Sequence, residues 1–210
     1  GKDVDNVRGV GMKAGYYGTE NLPLTVEAGV FNSSSISDHE VWSKKPTFAT
    51  KVSYRLGDFK LTTGFHSRRP ENVRMNLFDA AVGYYGGRWV VEGEYMNCHY
   101  TNGTAPTCHS YVVFADRWFP VKLGVFNRAS VQARVDGMTN HSTGMADDEG
   151  KLQIDDPLRN RITVGGTLTY AYKWLRADVR LNFEKYFYGK STEVAVGDGD
   201  KVLAELVIKF

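Results

Sequence analysis

The stretch whose reading decides the fold is the last one, Lys201-Val202-Leu203-Ala204-Glu205-Leu206-Val207-Ile208-Lys209-Phe210. Side chains alternate across a β-strand with period two. Val202, Ala204, Leu206, Ile208 and Phe210 therefore fall on one face, and Leu203, Glu205, Val207 and Lys209 on the other. One face is apolar, the other mixed, and the stretch stops on an aromatic residue.

The same alternation recurs outward from this stretch. Leu175, Ala177, Val179, Leu181 and Phe183 alternate with Arg176, Asp178, Arg180, Asn182 and Glu184. Ile162, Val164, Gly166, Leu168, Tyr170 and Tyr172 alternate with Thr163, Gly165, Thr167, Thr169 and Ala171. Ala129, Val131, Ala133 and Val135 stand against Ser130, Gln132, Arg134 and Asp136. Phe48, Val52, Tyr54 and Leu56 stand against Lys51, Ser53 and Arg55, and Phe59, Leu61, Thr63 and Phe65 against Lys60, Thr62, Gly64 and His66. The pattern predicts about eleven strands, at 7–18, 23–33, 46–56, 58–67, 73–86, 88–98, 108–118, 125–138, 160–173, 175–188 and 201–210, and no helix.

Composition bounds the answer. The chain has 210 residues, enough for one large all-β domain, and 42% of them are hydrophobic, too many for a disordered chain. Net charge is +2 with no run of like charges, so no nucleic-acid partner is implied. There is no apolar window of about 18 residues and hence no transmembrane helix. A mean hydropathy of −0.37 suits a soluble protein, and equally a transmembrane β-barrel, whose strands are only half apolar. Residues 1–5, Gly-Lys-Asp-Val-Asp, are not a signal peptide, so a barrel of this kind is met here in mature form or as a fragment.

Periodicity alone does not say which face points inward. A soluble barrel hides the apolar face, whereas a membrane barrel turns it to lipid. Four features favour lipid. Short links at 18–22, 56–58, 86–88, around 119–120 and at 173–174 alternate with longer ones at 32–46, 67–72, 97–108, 138–160 and 189–201. That phase matches tight periplasmic turns and longer extracellular loops. Trp89, Trp118 and Trp174, with Tyr84, Tyr85, Phe119 and Tyr172, sit beside short links, as an interfacial girdle would. The alternating final strand ending in Phe210 resembles the closing strand of bacterial outer-membrane barrels. Finally, a closed barrel of this many strands is hard to fill with modest side chains, so a wet, polar interior is the easier solution.

Cys98 and Cys108 bracket a turn-rich loop containing Asn102-Gly103 and Pro106, and a disulfide between them is expected in an oxidising compartment. The alternative is two free thiols at facing strand ends. No metal-type cysteine spacing is present, and no metal or other cofactor is expected.

A more specific resemblance rests on Asn6-Val7-Arg8-Gly9-Val10-Gly11-Met12-Lys13-Ala14-Gly15 followed by Leu24-Thr25-Val26-Glu27-Ala28-Gly29-Val30-Phe31-Asn32. These stretches resemble the middle of the phosphate-selective porin O and P family, in the variant found in Bacteroides-type bacteria. Ser33 departs from that pattern, which has Gly there. Asn160–Gly166, Leu175–Phe187 and Ala204–Phe210 are similar to the same family's closing strands. The resemblance implies an antiparallel up-and-down transmembrane β-barrel of the bacterial outer membrane, sixteen-stranded and a homotrimer, of which residues 1–210 are the carboxyl-terminal eleven strands or so of a single barrel domain, with an amino-terminal portion missing. Its partners would be membrane lipid and small anions or other small solutes.

As a porin the chain needs no catalytic site. Its chemistry is that of a pore wall, where Arg and Lys favour anions and Asp and Glu favour cations. The candidate basic residues are Lys51, Arg55, Lys60, Arg134, Arg176 and Arg180; the acidic ones are Glu92, Glu94, Asp136, Asp178, Glu184 and Glu205. The expected activity is passive diffusion of small hydrophilic solutes, with phosphate or anion selectivity as the narrower form. A soluble ligand-binding β-barrel or an adhesin-like surface domain is the alternative. A serine-hydrolase reading of Asn140-His141-Ser142-Thr143-Gly144 fails on geometry: neighbouring residues on a strand point to opposite faces, away from hydrogen-bond reach. The acidic stretch around Asp147, Asp148, Glu149, Asp155 and Asp156 lacks the ligand spacing of a calcium loop and reads as a solvated loop.

Overall fold

The structure, a computed structural model, describes residues 11–32, 46–68, 74–101, 105–141, 148–149, 157–189 and 199–210. The expected strand start at 7–10, Ser33, Asn102, Ser142, Asp147, Asp155 and Asp156 lie outside the described residues.

Among the described residues eleven strands form one antiparallel sheet: β1 (Gly11–Tyr17), β2 (Leu24–Phe31), β3 (Thr47–Leu56), β4 (Phe59–Arg68), β5 (Met75–Tyr84), β6 (Trp89–Tyr100), β7 (Cys108–Leu123), β8 (Phe126–Met138), β9 (Arg159–Tyr172), β10 (Leu175–Tyr188) and β11 (Lys201–Lys209). Each strand neighbours the next in sequence, an up-and-down order, and no helix occurs among the described residues. The sheet is open, with β1 and β11 at its edges.

Four two-residue turns explain why the strands reverse where they do. Gly57-Asp58, Gly87-Arg88, Gly124-Val125 and Lys173-Trp174 each begin with a residue in the left-handed region, at φ 57°, 59°, 56° and 51°. Glycine adopts that conformation without steric cost; Lys173 does so against the usual penalty of its Cβ. Such turns match the right-handed twist of the strands they join.

The third turn corrects an expectation. The short link predicted around Phe119-Pro120 is strand, and β7 runs through Pro120 to Leu123. Proline's fixed φ is compatible with extended backbone, and the reversal waits for Gly124, the residue that tolerates positive φ. β6 likewise extends two residues beyond its predicted end, to Tyr100.

The chain packs as two compact units. The first contains the described parts of 1–82, 94–110 and 138–158, and the second those of 83–93, 111–137 and 159–210. In the first, register runs Lys13↔Gly29↔Ala49↔His66 and Gly15↔Glu27↔Lys51↔Gly64 across β1 to β4. In the second it runs Thr169↔Asp178↔Val207 and Leu168↔Val179↔Leu206 across β9, β10 and β11.

The distribution of burial is inverted relative to a soluble protein. The only buried hydrophobic residues among those described are Cys98, Tyr100 and Cys108, with Met75, Leu77, Ala105 and Met138 packed around them in the first unit. Thr47, Ser67, Thr163, Thr169, Asp178 and Glu184 are buried, whereas Phe59, Leu61, Leu181, Phe183, Val202, Leu206 and Ile208 are exposed.

Candidate pore-lining face

Paired residues of antiparallel neighbours share a face, so the registers turn the alternation of single strands into two continuous surfaces. In the second unit the polar surface of β9 to β11 carries the rows Ala171–Arg176–Lys209, Thr169–Asp178–Val207, Thr167–Arg180–Glu205, Gly165–Asn182–Leu203 and Thr163–Glu184–Lys201. The reverse surface carries Tyr170–Ala177–Ile208, Leu168–Val179–Leu206, Gly166–Leu181–Ala204 and Val164–Phe183–Val202.

Two charge networks occupy the polar surface. In the first, Asp178 is fully buried. Its Oδ1 accepts the Thr169 hydroxyl at 2.6 Å and Arg176 Nε at 3.0 Å, and its Oδ2 lies 3.6 Å from Arg180 Nη2. Arg180 also reaches Glu205 across the strand pair at 3.8 Å. In the second, Asp136 Oδ1 accepts Arg134 Nε at 2.7 Å and lies 3.1 Å from Arg161 Nη2. Arg161 Nη1 continues to Glu184 Oε1 at 3.3 Å, and the Tyr186 hydroxyl donates to Glu184 Oε2 at 2.7 Å. Lys201 sits 5.0 Å from the Tyr186 ring centroid.

A neutral bridge joins β8 to β10 on the same surface. Gln132 Nε2 donates to Asn182 Oδ1 at 2.7 Å, passing over Gly165 of β9. A Cβ at Gly165 would lie 2.0 Å from Asn182 Oδ1, so the bridge requires glycine there. On the reverse surface the Tyr111 hydroxyl donates to Asn160 Oδ1 at 2.9 Å over Gly137 by the same device.

The polar surface of the first unit is sparser. Lys13 Nζ and the Tyr17 hydroxyl both donate to Glu27 Oε1, at 2.6 and 2.7 Å. Lys51 pairs in register with Glu27. Arg55 pairs in register with Lys60, both are exposed, and neither has an acidic partner among the described residues. Asp79 lies over Gly64, whose Cβ would meet its Oδ2 at 2.3 Å.

Measured against the sequence-based expectation, Lys51, Arg55 and Lys60 share the polar surface of the first unit, while Arg134, Asp136, Arg176, Asp178, Arg180, Glu184 and Glu205 share that of the second. Glu92 belongs to the second unit and accepts the Tyr85 hydroxyl at 2.6 Å; Glu94, of the same parity on β6, belongs to the first. Arg161, which joins two carboxylates, was not anticipated, nor were Lys13, Glu27 and the Gln132–Asn182 bridge. Arg161 has the parity of Thr163, and that was the available signal.

In this structure no disulfide joins Cys98 and Cys108. Both are buried members of one small apolar cluster at the facing ends of β6 and β7, with Met75, Leu77 and Met138 packed against them.

No protein-family model, curated protein or solved structure matches this chain.

Proposed function

We propose that this chain is part of an outer-membrane β-barrel porin, and that small hydrophilic solutes or ions diffuse passively along its polar surface. The observation that carries the reading is the inversion of faces on one strand: on β10, Asp178 is 0% exposed, while Val179 and Leu181 on the other side are 44% and 59% exposed. A half-exposed Leu or Val forgoes about 1 kcal/mol of burial free energy in water, and Val164, Val179, Leu181, Phe183, Val202, Leu206 and Ile208 together on one surface constitute a patch that needs an apolar solvent. Lipid supplies it.

Other features agree with this reading. β7 to β10 are 16, 13, 14 and 14 residues long, more than the roughly 9–11 that a tilted strand needs to cross a bilayer. A bilayer does not tolerate an open sheet edge, so β1 and β11 would be covered by further strands of a closed barrel. The resemblance to the phosphate-selective porins supplies the bacterial outer membrane, the trimer and a preference for anions as parts of the same proposal.

Conductance of the full-length protein in planar bilayers tests it. Stepwise conductance is expected; folded, inserted protein that does not conduct would move the assignment to a closed barrel or a soluble binding domain. The orientation of the faces has its own test. Leu181→Arg is expected to cost about 2–4 kcal/mol of stability in lipid, because a charge would face the hydrocarbon. On a water-facing surface the same change would lie within about 0.5 kcal/mol of neutral, and that result would refute a lipid-facing β10.

A further inference from the structure

The apolar surface of the second unit carries one basic side chain in an unusual setting. Arg117 of β7 has its guanidinium carbon 4.9 Å from the Trp89 ring centroid and 5.0 Å from that of Phe119. The surface is fixed by parity and contact: Tyr111, an even number of residues from Arg117, bonds Asn160, which shares its side of β9 with Ile162 and Val164. Arg117 is exposed and has no carboxylate partner among the described residues. Its neighbour Asp116 and the nearby Glu92 project to the opposite surface by the same parity.

An exposed guanidinium on a lipid-facing surface needs an anion, and none of the described residues provides one. The location suits one from outside. Trp89 directly follows the Gly87-Arg88 turn, and the Trp118 backbone N–H donates to the Arg88 carbonyl at 3.1 Å, so Arg117 and Phe119 flank the level of that short turn, where aromatic rings mark the head-group level. Trp174 and Phe210, 75% and 94% exposed, belong to residues at strand ends of the same unit.

We propose that Arg117, held between Trp89 and Phe119, binds the phosphate of a membrane phospholipid. The planar fork of the guanidinium matches two phosphate oxygens, and the two rings offer an apolar seat for the glycerol and first acyl carbons. The proposal rests on the membrane reading above and adds a defined lipid contact to it.

Native mass spectrometry of the full chain, folded in detergent micelles with added phosphatidylglycerol, reads the retained lipid directly. Arg117→Gln is expected to lower retention about three-fold, the scale of one partly exposed charge pair, and Arg117→Lys less. Lys122→Gln, a basic residue near the same rim on the opposite surface of β7, should change nothing. Diacylglycerol with the same chains should be retained no better by wild type than by Arg117→Gln. Equal phosphatidylglycerol retention by folded Arg117→Gln, or equal retention of diacylglycerol and phosphatidylglycerol by wild type, would overturn the proposal. Heat-modifiable gel mobility establishes folding, and insertion into vesicles separates the two readings. A wild type that does not insert refutes the barrel; one that inserts and conducts, with lipid retention insensitive to Arg117, refutes the lipid site alone.

Discussion

On β10 the Asp178 carboxylate is straddled by Arg176 and Arg180 and capped by Thr169, whereas on β3 and β4 Arg55 stands directly across from Lys60 with no acid between them. The first arrangement neutralises its charges locally, with hydrogen bonds from Thr169 and Arg176 that fix the carboxylate and a longer ion contact to Arg180. The second leaves like charges opposite each other, which costs a sheet stability. The polar surfaces of the two units thus use one set of residue types for different ends. In the second unit Arg134, Arg161, Arg176 and Arg180 are engaged by carboxylates, so they present little net field. In the first the uncompensated pair is what an ion would meet if the chain forms the proposed pore.

The largest effect should come from breaking the neutralised side. Asp178→Asn leaves Arg176 and Arg180 facing each other without their shared acid. The expected loss is on the order of 3 kcal/mol, as for a buried pair missing one partner. Glu27→Gln, which removes the exposed Lys13 contact in the first unit, should cost far less, because a solvent-exposed pair is screened by water and salt. Unfolding midpoints in detergent, followed by gel mobility, measure both; equal losses would erase the distinction. Next is Gly165→Ala. Its Cβ would displace Asn182 from Gln132, and a cost of about 2 kcal/mol is expected for the lost bridge and the forced shift. A neutral outcome would mean that Asn182 finds an equivalent rotamer and that the bridge contributes nothing.

How far the sequence could be read follows from the turns. Parity assigned faces correctly for Arg176, Asp178, Arg180 and Glu184, because period two needs no partner. Parity plus a two-residue turn also fixes register: Gly57-Asp58 sets Leu56 opposite Phe59, and therefore Arg55 opposite Lys60. The Lys173-Trp174 turn does the same for Tyr172 and Leu175, and so for Arg161 and Tyr186. Long links carry no such information. Glu27 opposite Lys51 and Arg180 opposite Glu205 are joined through 32–46 and 189–200, whose lengths leave the register open. Arg161 meeting Asp136 lies across a similar link. Contacts that step over a glycine, such as Gln132 to Asn182, span three strands and need two registers at once.

The open side of the comparison has its own test, in selectivity rather than stability. Replacing Arg55 and Lys60 together by Gln should lower the anion-to-cation permeability ratio about two-fold, the scale of one screened charge interaction at several ångströms in water. Stability should rise slightly, since a like-charge pair is removed. Arg134→Gln should shift the ratio less per charge removed, because Asp136 loses a partner as the polar surface loses a cation and still keeps Arg161. Equal shifts per charge would mean that only net charge matters, and the division into engaged and free cations would fall.

The smallest expected effect concerns the clasp between the last two strands. Lys185 Nζ lies 2.6 Å from Asp200 Oδ2, and the Tyr186 backbone N–H donates to Asp200 Oδ1 at 2.9 Å. Asp200 immediately precedes β11 and lies outside the strands. The Lys185 ammonium first, and then the Tyr186 N–H, hold its carboxyl below the usual aspartate range. A folded-state value below the unfolded one means that the clasp stabilises fully above the ordinary aspartate pKa, and that this is lost as pH falls through the folded value. Asp200→Asn should therefore lower the thermal midpoint slightly at neutral pH, and the curves for variant and wild type should converge in acid. Parallel curves across that range would mean that the carboxylate has the same affinity for its proton in the folded and unfolded chain. The β10–β11 register would then owe nothing to Asp200 and rest on the ladder from Arg176↔Lys209 to Glu184↔Lys201.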